Sequence, residues 1–201
     1  MIDAILHPLI LRRLDLPARA LVRAGVGADQ ITLVGFGIGV LALPALAFGH
    51  FWLALGVIVM NRILDGMDGA VAQVTRPTDR GAFMDIAFDF LFYALVPLGF
   101  ALFDPAANAL PAAVLIVAFV GAGSSFLAFA VIAGQREMRP EAYPTKGIYY
   151  LGGLTEGAET IGFFVVVCLF PQVFAPLAYL FALACGVTTL TRWLHGWKAF
   201  A

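Results

Sequence analysis

Charge is scarce in this chain. Only 12% of its 201 residues are charged, against 62% hydrophobic, and the mean hydropathy is +0.94. A soluble domain of this length cannot hide so much apolar surface, which leaves an integral membrane protein. Cysteine is nearly absent. Cys168 and Cys185 sit in apolar runs without a CxxC spacing, which excludes a dithiol or thiolate motif and reads them as small core residues. The N-terminal segment does not read as a signal peptide, because Pro8, Arg12, Arg13, Asp15 and Pro17 break its apolar stretch. Neither repeats nor low-complexity tracts nor a linker divide the chain, so a single domain over 1–201 is expected. The net charge of −1 says little by itself, and no nucleic-acid partner is expected.

What is abundant is apolar sequence in spans. Six stretches can each cross about 30 Å of hydrocarbon as ~20 helical residues: 30–48, 51–74, 81–103, 110–133, 147–170 and 172–194. Lysine and arginine alternate with them. Arg12, Arg13, Arg19 and Arg23 precede the first span, and Arg76 and Arg80 lie between the second and third. Arg136, Arg139 and Lys146 lie between the fourth and fifth, and Arg192 and Lys198 end the chain. The remaining connections carry no basic residue. The expected architecture is all-α, with a six-helix core over 30–194 and both termini cytoplasmic. Residues 2–23 mix apolar residues with arginines. They read as an amphipathic helix in the cytoplasmic interface, broken near Pro17.

Within these apolar runs the stretch NRILDGMDGAVAQVTRPTDRGAFMDIAFDF, residues 61–90, places Arg62 and four aspartates. Asp65 and Asp68 are i, i+3, and Asp85 and Asp89 are i, i+4, so each pair shares a helix face. The short turn between the second and third spans makes these helices antiparallel neighbours, with all four carboxylates at similar depth near the cytoplasmic side. Carboxylates so close repel unless a cation lies between them, and Arg62 alone cannot neutralise four. Hard divalent cations with oxygen ligands can, and two of them form a clamp for phosphoryl chemistry. Small residues along the same segments, Gly66, Gly69, Ala70, Ala72, Gly81 and Ala82, leave room for a ligand. A cation transporter would also use such a cluster, and a purely structural polar network is the bland alternative.

Read as D-x2-D-G-x2-A-Q-x7-G-x3-D-x3-D, residues Asp65, Asp68, Gly69, Ala72, Gln73, Gly81, Asp85 and Asp89 closely resemble the signature of the CDP-alcohol phosphotransferases. That signature has arginine where this chain has Gln73. The segment ADQIT, residues 28–32, resembles the family's nucleotide-facing entry to the first helix. The resemblance implies transfer of a phosphatidyl or phospho-alcohol unit from a CDP-linked donor to an alcohol hydroxyl, releasing CMP. It implies two divalent cations, Mg2+ or Mn2+, six transmembrane helices and a homodimer among membrane lipids, in a bacterial inner membrane. By the same resemblance, Asp65, Asp68, Asp85 and Asp89 ligate metal, and Asp89 also takes the acceptor's proton. Asp29, Thr32, Gly69, Gln73, Thr78 and Gly81 face the donor nucleotide. Arginine at 73 would supply charge to a phosphate that glutamine cannot, so either Arg76 or Arg80 is recruited in its place, or the chain is an inactive partner subunit.

The fifth span carries Glu156 and Glu159, i, i+3, at a depth close to the aspartates. They are candidates for the acceptor side together with Lys146, or else they pair with Arg62 or Arg192 and lock helices. CDP-diacylglycerol with a small polar alcohol is the favoured substrate pair. A small CDP-alcohol with a lipid acceptor is the alternative.

Overall fold

The computed structural model describes residues 3–136, 138 and 153–201, and among these no strand is present. Within the described residues eight α-helices follow in order: α1 Asp3–Arg23, α2 Ala28–Val40, α3 Ala42–Ala47, α4 Phe51–Val74, α5 Asp79–Phe103, α6 Pro105–Gln135, α7 Gly157–Leu169 and α8 Phe174–Ala199. A 3-10 turn, Pro171–Val173, leads into α8.

Four segments are long and apolar enough to cross a membrane: Ala28–Ala47, α5, α6, and the turn with α8. Helix α4 has 24 residues but carries Arg62, Asp65 and Asp68. Helix α7 has 13 residues, and residues 147–152 of the expected fifth span lie outside the described residues. Length and composition therefore support four crossings among the described residues, where six were expected.

Prolines set two of the differences. The first expected span, 30–48, is interrupted at Leu41 between α2 and α3. Pro44 lacks the N–H that the Val40 carbonyl would receive, and its ring crowds that carbonyl. The expected break near Pro17 does not occur, because α1 runs unbroken through it. A proline inside a helix costs about 3 kcal/mol, and here packing offsets it. Ala18 is fully buried, and Leu14, Leu21 and Val22 pack with it against Ala70 and Val71 of α4. An Asp15–Arg19 ion pair at i, i+4 spans the proline on the exposed side.

The larger core lies at the other end of α4. Phe92, Val96 and Phe100 of α5, Phe164 of α7 and Phe174 of α8 are fully buried with Leu46, Ile58 and Leu115. Phe100 and Phe174 stack at 4.3 Å between centroids. Outside, Phe48, Trp52, Val117, Leu183 and Trp197 are exposed, as suits a hydrocarbon solvent. Along α4, Ile58 belongs to one core and Ala70 to the other. The charged residues of α4 fall between them.

Candidate metal centre

Three helices wall a cleft at that junction: Thr32, Gly35 and Phe36 from α2; Asn61, Arg62, Asp65 and Asp68 from α4; Asp85, Phe88, Asp89 and Phe92 from α5. The close approach of α2 to α4 depends on glycine. A Cβ at Gly35 would lie 3.1 Å from the Leu64 Cβ, and one at Gly39 only 2.8 Å from Asn61 Nδ2. With both absent, Asn61 Nδ2 donates to the Gly35 carbonyl at 2.9 Å. Phe36 stacks on Phe88 at 4.3 Å, closing the α2–α5 side.

Carboxylate oxygens of Asp65, Asp68 and Asp85 lie within 4.8 Å of one another. Octahedral coordination at about 2.0–2.1 Å sets ligand oxygens ~3–4 Å apart, so side-chain rotations would close this trio on one hard divalent ion. The donor set fits, being all oxygen and all anionic. Asp68 is buried, and Thr32 Oγ1 donates to its Oδ2 at 2.5 Å. The same hydroxyl lies 3.1 Å from the Ala28 carbonyl. It has one proton, and the shorter, charge-assisted bond takes it.

Asp89 stands apart from the trio. Its Oδ1 accepts from Arg62 Nη2 at 2.7 Å, while Arg62 Nη1 reaches Asp65 Oδ2 at 3.5 Å. Asn61 Oδ1 accepts from Arg62 Nε at 2.9 Å and Nη2 at 2.7 Å. The guanidinium carbon lies 4.8 Å from the Phe92 ring centroid. Arg62 is thus a fixed cation inside the acidic cluster, paired with aspartates and not with the glutamates of α7.

The residues expected around the nucleotide divide into two groups. Thr32 is in the cleft. Thr78 caps α5, its Oγ1 accepting from the Gly81 N–H at 3.0 Å, and Asp29 accepts from Arg80 Nε at 2.7 Å. A Cβ at Gly81 would lie 3.0 Å from Asp29 Oδ1 and 3.1 Å from Thr78 Oγ1, so glycine brings α2 and α5 together there. Gly69 opens onto free space. Gln73 does not wall the acidic cleft. With Ala70 and Val74 it lines a second hollow, against Asp15 and Arg19 of α1.

On the expected acceptor side, Glu156 and Glu159 sit at the start of α7. Glu159 Oε2 accepts from the Glu156 N–H at 3.1 Å, and Glu156 Oε1 from the Gly153 N–H at 3.0 Å. Both carboxylates serve the helix start, and neither is among the cleft's walls. Lys146 lies outside the described residues. Sequence reasoning missed Phe36, Phe88 and Phe92 as walls and Asn61 as the holder of Arg62. The i, i+3 spacing of Arg62 and Asp65, and of Asp85 and Phe88, was the available signal.

A family described as CDP-alcohol phosphatidyltransferase matches residues 26–197. The inner membrane protein YnjF of Escherichia coli K12 is 53% identical over 98% of this chain and 96% of its own length. An archaetidylinositol phosphate synthase from Pyrococcus horikoshii is 30% identical over 48% of this chain and 52% of its own. The Mycobacterium tuberculosis phosphatidylinositol phosphate synthase with CDP-DAG bound shares the fold at a TM-score of 0.68 and 22% identity, over 92% of this chain and 94% of that one. The same synthase in complex with manganese and citrate gives 0.68 and 21%, over 92% and 88%.

Proposed function

The chain belongs to the CDP-alcohol phosphatidyltransferase family, and from that premise we propose that it transfers a phosphatidyl group from CDP-diacylglycerol to the hydroxyl of a small polar alcohol, releasing CMP. The observation that carries this reading is the trio Asp65, Asp68 and Asp85 within 4.8 Å, walled by three helices. A divalent cation bound there, Mg2+ or Mn2+, supplies charge stabilisation to a pyrophosphate and to the departing CMP. The donor chemistry is supported by two relatives, one named for archaetidylinositol phosphate synthesis and one solved with CDP-DAG.

The chain's own residues divide the remaining work. Thr32 holds Asp68 in its ligating orientation. Phe36 and Phe88 close the α2–α5 wall and limit water. Asp89, whose Oδ1 is engaged by Arg62 in the donor-free protein, takes the acceptor's proton on Oδ2. As that proton leaves, the acceptor oxygen bonds to the phosphorus that carries the lipid, and the bond from that phosphorus to the CMP oxygen breaks. Asp29, Thr78, Gly69 and Gly81 take the nucleotide. Gln73 faces α1, so the phosphate charge that the family's arginine would bring comes from elsewhere.

The full reading has a single domain with six crossings, in which α4 and the segment ending in α7 also span, and both termini lie in the cytoplasm. Charged residues in α4 are tolerated because they face the protein's own cleft. It also has a second cation beside the first, and a homodimer in a bacterial inner membrane, consistent with the inner membrane relative.

The test is CMP release by purified protein with MgCl2 or MnCl2. CDP-diacylglycerol and small CDP-alcohols are crossed against polar alcohols and diacylglycerol, with Asp89→Asn as control. Acceptor-dependent CMP from CDP-diacylglycerol, lost in the variant, is expected. Turnover only with a small CDP-alcohol and diacylglycerol would reverse the polarity. Silence across the panel would favour an inactive partner subunit.

A further inference from the structure

The acidic cluster already holds one permanent cation. Arg62 Nη2 is 2.7 Å from Asp89 Oδ1 and Nη1 is 3.5 Å from Asp65 Oδ2. Two bonds to Asn61 Oδ1 and the Phe92 face fix the guanidinium. Asn61 is itself anchored to the Gly35 carbonyl of α2. The metals of two-ion phosphoryl sites lie about 3.5–4 Å apart. An ion beside the Asp65, Asp68 and Asp85 trio, on the Asp89 side, would therefore need the oxygens that Arg62 engages. A guanidinium and a divalent cation repel, and they cannot share that place.

We propose that Arg62 occupies the position of the second cation while no donor is bound, so that the donor-free protein takes a single divalent ion at Asp65, Asp68 and Asp85. The second ion enters with the nucleotide. Donor phosphates offer the guanidinium a planar, bidentate partner. Once Arg62 turns to them, the oxygens of Asp89 and Asp65 are released to metal. Binding of the second ion and of the donor are then coupled, each favouring the other. This rests on the reading of the trio as a metal site in a CDP-dependent transferase.

The experiment is titration of detergent-purified protein with MnCl2, followed by the electron paramagnetic resonance of free Mn2+ and by calorimetry, with and without CDP. Wild type is expected to bind about one Mn2+ per chain alone and about two with CDP. Arg62→Met, which keeps apolar bulk against Phe92, is expected to bind about two without CDP. Arg62→Gln is the second variant, and a monodisperse gel-filtration peak establishes that each is folded. Two ions on the wild type without CDP, or one on both folded variants, overturns the proposal. If neither variant is folded, the wild-type titration alone decides. The proposed function fails separately: with no Mn2+ on any protein and no CMP release, both readings fall. Two ions on the CDP-free wild type beside acceptor-dependent CMP release refutes only the role of Arg62.

Discussion

Thr32→Val removes one hydroxyl and almost nothing else. The two side chains are nearly isosteric and have similar helix propensity, so α2 should be retained. What disappears is the 2.5 Å hydrogen bond to buried Asp68. Hydrogen bonds to charged groups contribute about 1.5–3 kcal/mol. If all of that serves to hold Asp68 in its ligating orientation, cation affinity falls roughly 10- to 150-fold at 1.4 kcal/mol per tenfold. Loss of a partner to a metal ligand elsewhere costs ~10–100-fold, the same range. The assay is Mn2+ titration of the donor-free protein, with CMP release measured across MnCl2 concentrations. Thr32→Ser keeps the donor and should stay near wild type, and excess metal should recover much of the Thr32→Val rate. An affinity within about threefold of wild type for Thr32→Val would refute the reasoning. It would mean that the hydroxyl serves the Ala28 carbonyl and that Asp68 is held by something else.

Three further outcomes follow from the same geometry. Asp85→Asn removes one of the clustered carboxylates, and both Mn2+ binding and CMP release should fall below detection while the gel-filtration profile is unchanged. Gly39→Ala puts a methyl 2.8 Å from Asn61 Nδ2, and overpacking of this kind costs about 1–3 kcal/mol. A clear drop in melting temperature in detergent is expected, and an unchanged melt would show that α2 shifts freely. Gln73→Arg adds a charge beside Asp15 and Arg19 rather than in the acidic cleft. Exposed pairs contribute about 0–1 kcal/mol, so CMP release should change less than about fivefold, and a gain of well over that would place residue 73 at the donor.

Much of the site was legible because it depends on local spacing. The bounds 51–74 of α4 match the helix observed, since a single apolar run ends there at polar Thr75 and Pro77. Asp65, Asp68 and Asp85 meet because helical periodicity and a short turn leave them little choice, while Asp89 is drawn to Arg62. What sequence could not show is which face a residue presents across the bundle. Gln73 is one helical turn beyond Gly69, yet it turns toward α1, because Ala70 and Val71 bury against Ala18. Pro17 does not break its helix for the same reason: tertiary packing outweighs a local penalty. Glu156 and Glu159 read as acceptor-side candidates, whereas a helix start needs acceptors for its exposed N–H groups, and they supply them. Arg62 was visible as a lone intramembrane cation. Its partners depend on α5 being brought alongside, which only the fold supplies.

Gly39 and Asn61 also bear on how this protein can diverge. Any side chain at 39 collides with the amide of Asn61, and a residue at 61 with no acceptor removes two of the hydrogen bonds that fix Arg62. Two positions on different helices, neither of them an aspartate, are thereby tied into one unit of descent. Single substitutions at either should be lost from a population even where the acidic residues are untouched. Lineages that do change them should change both, together with Arg62.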